Sequence, residues 1–492
     1  MKPGFQTAAL ILLLMLGPVF SAKAFQWIPV LARIDYSKVG DEKVEKGDLD
    51  GALDDYNFAI LLAPRWPPYY NNRGNIKSTK GDLDGAIADF NRALELDPRD
   101  IAALNNRGSV KNTKGDHDGA IADFTRGIEI QPKFAALYYN RANTRELKGD
   151  LKGALADYDR TVELDPKFAA ALQDRGTTKQ EMGDMAGALA DYTGAIALDP
   201  KNSTIYYNRG LAKRAGGDLA GAIADYGHAI ELDPKFARAY LDRGLARKIG
   251  GDLDAALADY DHSIELDPKN PMAFNNRANA KEARGDSAGA IADYTRAIEL
   301  DPKDLDAYNG RAAAKSAGND IDGAIADFNH ALEIDPGYTP AYFNRGISRL
   351  LARDWKDALA DYQHLCGISK DGQDYPRLQI WLLRSRLGET KAASKELSDY
   401  MATRPKAASG DWIASVGGYF LGDVSAAKLL ADDKKEHGKP CVGWYYTGMK
   451  KLIAGDKKSA AGDFRKCTST NLKSLLEYQL ALGELKALGE SL

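Results

Sequence analysis

PPYYNNRGNIKSTKGDLDGAIADFNRALELDPRD, residues 67–100, reads as two helices and a stop. A first helix is predicted from about Tyr69 to Lys80. Gly81 suits the left-handed position that ends a helix, and Asp82 suits the N-cap that opens the next. Asp84 adds negative charge to that first turn, where the helix dipole favours it. In the second helix Ala86, Ile87, Phe90, Ala93 and Leu94 share one face at amphipathic spacing. Pro98 then forbids continuation, because it lacks an N–H and restricts Asp97. Gly74 and Ala86 are small where the two helices must approach.

The same register runs through most of the chain. Pro98, Pro132, Pro166, Pro200, Pro234, Pro268, Pro302 and Pro336 are spaced by 34 residues. The acidic residue opening each second helix keeps the step, from Asp48 and Asp82 through to Asp320 and Asp354. Ten units therefore tile residues 33–372. One such hairpin cannot bury its own apolar face, so neighbouring units must stack. The fold class is all-α, a solenoid of helix-turn-helix hairpins.

The order aromatic, Gly, Gly-Asp, Ala, aromatic, Ala, Pro at this spacing resembles the tetratricopeptide repeat family, whose period is about 34 residues. The resemblance covers residues 33–372. It implies a right-handed superhelical solenoid whose concave face binds peptides or protein surfaces.

Beyond residue 372 the pattern weakens and returns. Gly367 to Gln373 reads as a loop. Residues 374–407 keep the frame through Gly388, Ala393, Leu397 and Pro405, and residues 408–440 through Trp412, Gly422 and Ala427. Residues 441–474 are clear again in Trp444, Gly448, Gly455-Asp456, Ala460 and Phe464. Three irregular units over 374–474 and a capping helix with its tail over 475–492 complete the organisation. The stretch beginning GWYYTGMKKLIAGDKKSAAGDF at Gly443 resembles the end of the NlpI-like bacterial envelope adaptors, without a cysteine to carry a lipid. That resemblance implies an envelope adaptor.

The first residues have another purpose. Lys2 precedes an apolar run from Ala8 to Leu16, then Gly17-Pro18 and Ala22-Lys23-Ala24. A basic start, a short apolar centre and an A-x-A site describe a cleaved secretory signal over residues 1–24. The run falls short of the roughly 20 residues that span a bilayer. A periplasmic or secreted chain beginning at Phe25 is expected, and an uncleaved inner-membrane anchor is the alternative.

Composition narrows the function. Lys plus Arg number 66 and Asp plus Glu 70, a formal charge of −4, which argues against a nucleic-acid partner. No phosphate loop, H-E-x-x-H or C-x-x-C occurs, and the repeats leave no room for a catalytic domain. The expectation is a non-enzymatic protein-binding scaffold with no cofactor and no metal. A fixed subunit of a secretion or polysaccharide-export assembly is the alternative. Partner proteins are expected, with self-association through the C-terminal repeats as one route.

Four histidines, His228, His262, His330 and His364, share one repeat position. Other units carry Arg92, Arg126, Arg160 and Arg296 there, so the position reads as solvated and polar. An arginine row, Arg73 to Arg345 in steps of 34, is joined one turn later by a second base, as in Lys77. Like charges at that spacing repel. The facing row Asp89 to Asp361 makes a helix-to-helix charge ladder the simplest reading, with a basic groove as its alternative.

Immediately before most of these arginines runs a row of asparagines: Asn72, Asn106, Asn140, Asn208, Asn276 and Asn344, with Asp174 and Asp242 as variants. The family resemblance places this position on the concave groove. There an amide can donate to and accept from a peptide backbone without reading its sequence. A local structural role competes with that reading. Leu245, Ile249, Ile347, Leu350 and Leu351 would make the later groove more apolar. Finally, Cys441 and Cys467 are placed by an antiparallel hairpin so that they can face each other. They form either a disulfide or two buried thiols.

Overall fold

The computed structural model describes residues 35–404, 411–438 and 440–490. The signal segment expected at 1–24 lies outside them. Among the described residues all regular structure is helical, in 27 helices. None is long and apolar enough to cross a membrane. The chain divides into two compact units, Met1–Pro234 and Lys235–Leu492.

The first unit holds six hairpins. They are α1 (Tyr36–Glu45) with α2 (Leu49–Leu62), α3 (Pro67–Thr79) with α4 (Leu83–Leu96), and α5 (Ile101–Thr113) with α6 (His117–Ile130). Then come α7 (Ala135–Leu147) with α8 (Leu151–Leu164), α9 (Ala169–Glu181) with α10 (Met185–Leu198), and α11 (Ser203–Ala215) with α12 (Leu219–Leu232).

The second unit opens with α13 (Ala237–Ile249) and α14 (Leu253–Leu266), α15 (Pro271–Arg284) and α16 (Ser287–Leu300), and α17 (Leu305–Ala317) and α18 (Ile321–Ile334). It continues with α19 (Thr339–Leu351) and α20 (Trp355–Ile368), α21 (Asp374–Arg386) and α22 (Thr390–Thr403), and α23 (Trp412–Leu421) and α24 (Ala426–His437). It ends with α25 (Cys441–Ile453), α26 (Lys457–Ser469) and α27 (Leu476–Ala487).

Each hairpin is made by its own residues. Gly81 takes φ +84°, a left-handed conformation that stops α3, and the Asp82 carboxylate accepts the Gly85 N–H at 2.9 Å to start α4. Inside the hairpin, a Cβ added to Gly74 would lie 2.7 Å from the Phe90 ring, so even a methyl is crowded there. Phe90 and Ala86 are fully buried against that bare backbone.

Arg73 then ties the two helices, donating from Nε to Asp89 Oδ2 at 2.8 Å and from Nη2 to Oδ1 at 2.5 Å. Lys77 adds its ammonium at 2.8 Å. The equivalent Arg–Asp pair recurs in every hairpin from Arg107–Asp123 to Arg345–Asp361. The arginine row is thus a charge ladder within hairpins, and the basic-groove alternative falls.

Within each unit the first helices line the inner side of the stack. Successive first helices touch, as α3 does α5 and α5 does α7, and likewise α15 does α17 and α17 does α19. Successive second helices do not approach to that degree, so the stack bends toward the first helices.

The end of the second unit departs from this regularity. Helix α27 packs on α25 and α26 and also folds back onto α19. It thereby helps to close one core, in which Leu350, Tyr362, Trp381, Phe420, Tyr446, Leu480 and Leu485 are buried together. Trp381 and Phe420 stack at 4.2 Å with 7° between their planes. The expectation of an apolar groove fails here in part. Leu350 is 3% exposed inside this core and Leu351 packs against it, whereas Ile249 is 58% exposed.

Candidate binding surface on the first helices

Every asparagine of the row is half-buried on a first helix, one residue before the ladder arginine. The arginine is fixed by its aspartate, so the backbone register of the asparagine is fixed with it. What the amides do differs along the row. Asn106 donates from Nδ2 to Asn71 Oδ1 at 3.1 Å, Asn140 to Asn105 Oδ1 at 2.8 Å, and Asn344 to Asn309 Oδ1 at 3.0 Å. Each of these bonds joins one hairpin to the one before it. Asn72 donates instead to the Tyr56 hydroxyl at 2.9 Å. Asn208 and Asn276 make no side-chain hydrogen bond among the described residues.

In all six the Oδ1 atom is left without a partner among the described residues, so the row presents acceptors and keeps most of its donors inside the fold. The donor partners were readable as doublets. Asn71-Asn72 and Asn105-Asn106 put an amide at the position that the next unit's row residue reaches, 35 residues on.

The variant Asp174 sits in a more polar neighbourhood. Tyr139 donates to its carboxylate at 2.7 Å, which with burial pushes the phenol up to about 12. Burial raises the Asp174 pKa above the ordinary carboxylate range. Nearby, Tyr158 donates to Asn143 Oδ1 at 2.6 Å and to Glu146 at 3.0 Å, and Thr178 donates to Glu146 at 2.9 Å. In the second unit the corresponding face carries Lys248, half-buried, without an ion pair among the described residues, and with its pKa lowered by burial. One unit further, burial raises the pKa of Glu282.

The other sequence candidates are placed as follows. His228 and His330 lie exposed on second helices, each 3.2 Å from a glutamate three residues on, and His262 lies 3.4 Å from its glutamate. Their rings pack on Tyr206, Tyr308 and Tyr240, and His364 packs on Tyr342. Among the described residues no group of three or more potential ligands could hold a metal ion. Cys441 and Cys467 are both buried with their sulfurs 2.7 Å apart, and Cys366 stands alone and half-buried.

Family models agree with this architecture. Tetratricopeptide repeat models match residues 67–100, 107–167, 237–270 and 275–339, and a TPR repeat model matches 180–213 and 210–248. The chain belongs to the tetratricopeptide repeat family. No curated protein matches it. Among solved structures it is similar to YrrB, described as a TPR protein with an unusual peptide-binding site. That likeness has 26% identity over 37% of this chain and 95% of that one, with a TM-score of 0.34. It is similar to MamA at 26% identity over 34% and 92%, with a TM-score of 0.33. Yeast Tom70 aligns at 17% identity over 75% and 96%, with a TM-score of 0.38.

Proposed function

We propose that this protein is a non-enzymatic adaptor that holds extended segments of partner proteins against its first helices. The observation that carries this is the row of unengaged Oδ1 acceptors, repeated at one register and held rigid by the adjoining Arg–Asp pairs. A carboxamide oxygen accepts a backbone N–H whatever side chain follows, so a line of them grips an extended chain without reading its sequence. Each contact is weak, and affinity accumulates along the hairpins within each unit.

Asn208 and Asn276 give the cleanest test, since neither supports the fold through a hydrogen bond. Partners are first captured by in-cell crosslinking and identified by mass spectrometry. The double variant Asn208→Ala and Asn276→Ala is expected to lower their yield while helicity and melting temperature stay unchanged. Equal yield from the variant would assign the row to structure alone.

The place of action we propose is the bacterial envelope, from the basic start, apolar run and A-x-A site of residues 1–24. The NlpI-like wording of the last units supports the same reading. N-terminal sequencing of protein from the envelope fraction is expected to begin at Phe25. Intact Met1 on membrane-bound material would favour the anchored alternative.

A further inference from the structure

Arg353 is the odd residue of its repeat position. Eight earlier hairpins have glycine there at positive φ, from Gly47 to Gly285, and one has Asn319. Arg353 takes the same left-handed conformation, at φ +63°. A side chain larger than that of Asn or Asp is rarely found in this region, because the conformation is strained for it. Strain of this kind persists where the surroundings hold the residue in place, and such residues concentrate at functional sites.

The Arg353 side chain reaches across to the last helix. It donates to the Gly483 carbonyl at 3.1 Å and lies 3.4 Å from Glu484. Arg386 meets the same glutamate with two hydrogen bonds, at 2.7 and 3.1 Å. Both guanidinium groups lie over the Trp355 ring, at 5.1 and 4.3 Å from its centroid. Between them opens a cavity of about 310 Å³, with Lys457 also on its wall. Two guanidinium groups therefore share one buried carboxylate, and with Lys457 the wall carries an excess of two positive charges. Each guanidinium has five N–H groups, so donors remain beyond those given to Glu484 and Gly483. Ser385 lines the same cavity, 4% exposed, and its hydroxyl has no hydrogen-bond partner among the described residues. Leu452 and Leu488 supply an aliphatic wall.

We infer that this cavity binds a carboxylate carried on a short aliphatic body. The two planar guanidinium groups can pair bidentately with a carboxylate, and the largely aliphatic remainder of the wall favours a carboxylate on an apolar body over a more heavily hydrated tetrahedral oxyanion. The leucines take the apolar part, beside the buried and unpartnered Ser385 hydroxyl. At about 310 Å³ the cavity has room for a small molecule or for a chain end. Such a group can be free in solution or can terminate a partner polypeptide.

The test is calorimetric titration of the full chain with 4-methylpentanoate, its primary amide, inorganic phosphate, and acetyl-Gly-Gly-Leu with a free or an amidated end. The carboxylates are expected to bind, with both amides and phosphate at least tenfold weaker. Tighter binding of the free peptide than of 4-methylpentanoate assigns the site to a polypeptide end, and the reverse order to a small acid. Arg353→Gly restores the residue that the fold uses elsewhere. This variant is expected to keep the melting temperature within a few degrees and to lose at least tenfold in affinity. Lys457→Gln, outside the Glu484 cluster, is expected to weaken binding severalfold without a change in folding. Absence of carboxylate binding at millimolar concentration, or unchanged affinity in both variants, would overturn the site.

Discussion

Arg141 and Asp157, sixteen residues apart, meet through two parallel hydrogen bonds of 2.8 and 2.7 Å, the carboxylate being only 4% exposed. The same arginine donates to Thr125 Oγ1 of the preceding hairpin at 2.9 Å, and Arg145 adds a bond to Asp157 at 2.6 Å. One aspartate thus holds two cations and, through them, two hairpins. Asp157→Asn keeps the shape and removes the charge, leaving Arg141 without its anion and Arg145 with only the more distant Asp150, at 3.8 Å. A fully buried pair broken in this way costs about 3–5 kcal/mol, and the partial exposure of the arginines reduces that. The expected loss is roughly 2–3 kcal/mol by urea unfolding followed by circular dichroism. A change below about 0.5 kcal/mol would mean the ladder is decorative.

This ladder was legible because it repeats. A row of Arg and a row of Asp at a constant offset can only be a contact or a coincidence, and eight further copies remove the coincidence. Caps such as Gly81 and Asp82 were legible for a different reason, being local chemistry that needs no knowledge of neighbours. The fold-back of α27 obeys neither rule. Arg386 and Glu484 are 98 residues apart and Arg353 and Glu484 131, and each contact occurs once. No period announces them, so sequence reading placed the helix as a cap and left Leu350 in an open groove. The donor side of the Asn row was missed because the doublets were read down single columns rather than from one unit to the next.

Cys441 and Cys467 are expected to form a disulfide when the protein is exported to an oxidising compartment. Their sulfurs already face each other in the buried interior of the α25–α26 hairpin, 26 residues apart in the chain. A loop of this size stabilises by roughly 3–4 kcal/mol in the chain-entropy model. Thiol titration of unreduced, denatured protein should find one free thiol, that of Cys366. Finding three would leave the pair as buried thiols.

Glu477 gives a pH dependence whose sign follows from its burial. The residue is 8% exposed, accepts the Tyr446 hydroxyl at 3.3 Å, and has its pKa raised because burial disfavours the charged form. Its folded pKa lies above the unfolded value near 4.3. The stability it contributes is fully present below that value and is lost as pH rises through the folded pKa. Glu477→Gln removes the titration and keeps an oxygen for Tyr446. The variant should therefore be more stable than the parent at pH 7, with the advantage shrinking toward pH 4. Parallel melting curves for the two proteins across that range would refute the assignment.

The last prediction concerns α27 as an internal brace. Tyr478, Leu480, Ala481 and Leu485 are all buried, and they face residues as distant as Leu350. Burying large apolar side chains of this kind stabilises by about 1.5–3 kcal/mol each. Ending the chain after Leu475 would also remove Glu484, leaving Arg353 and Arg386 with no anion between them. The truncated protein should bind a hydrophobic dye, and the hairpins from α21 to α26 should melt at a lower temperature. The hairpins from α13 to α18 rest on nearest neighbours, as stacked repeats do, and should keep their helicity. Hydrogen exchange resolved along the chain separates the two regions. Protection lost over residues 374–469 and kept over 237–334 is the expected pattern. Uniform loss would show that the brace stabilises the whole second unit, and uniform protection that the helix merely covers an end.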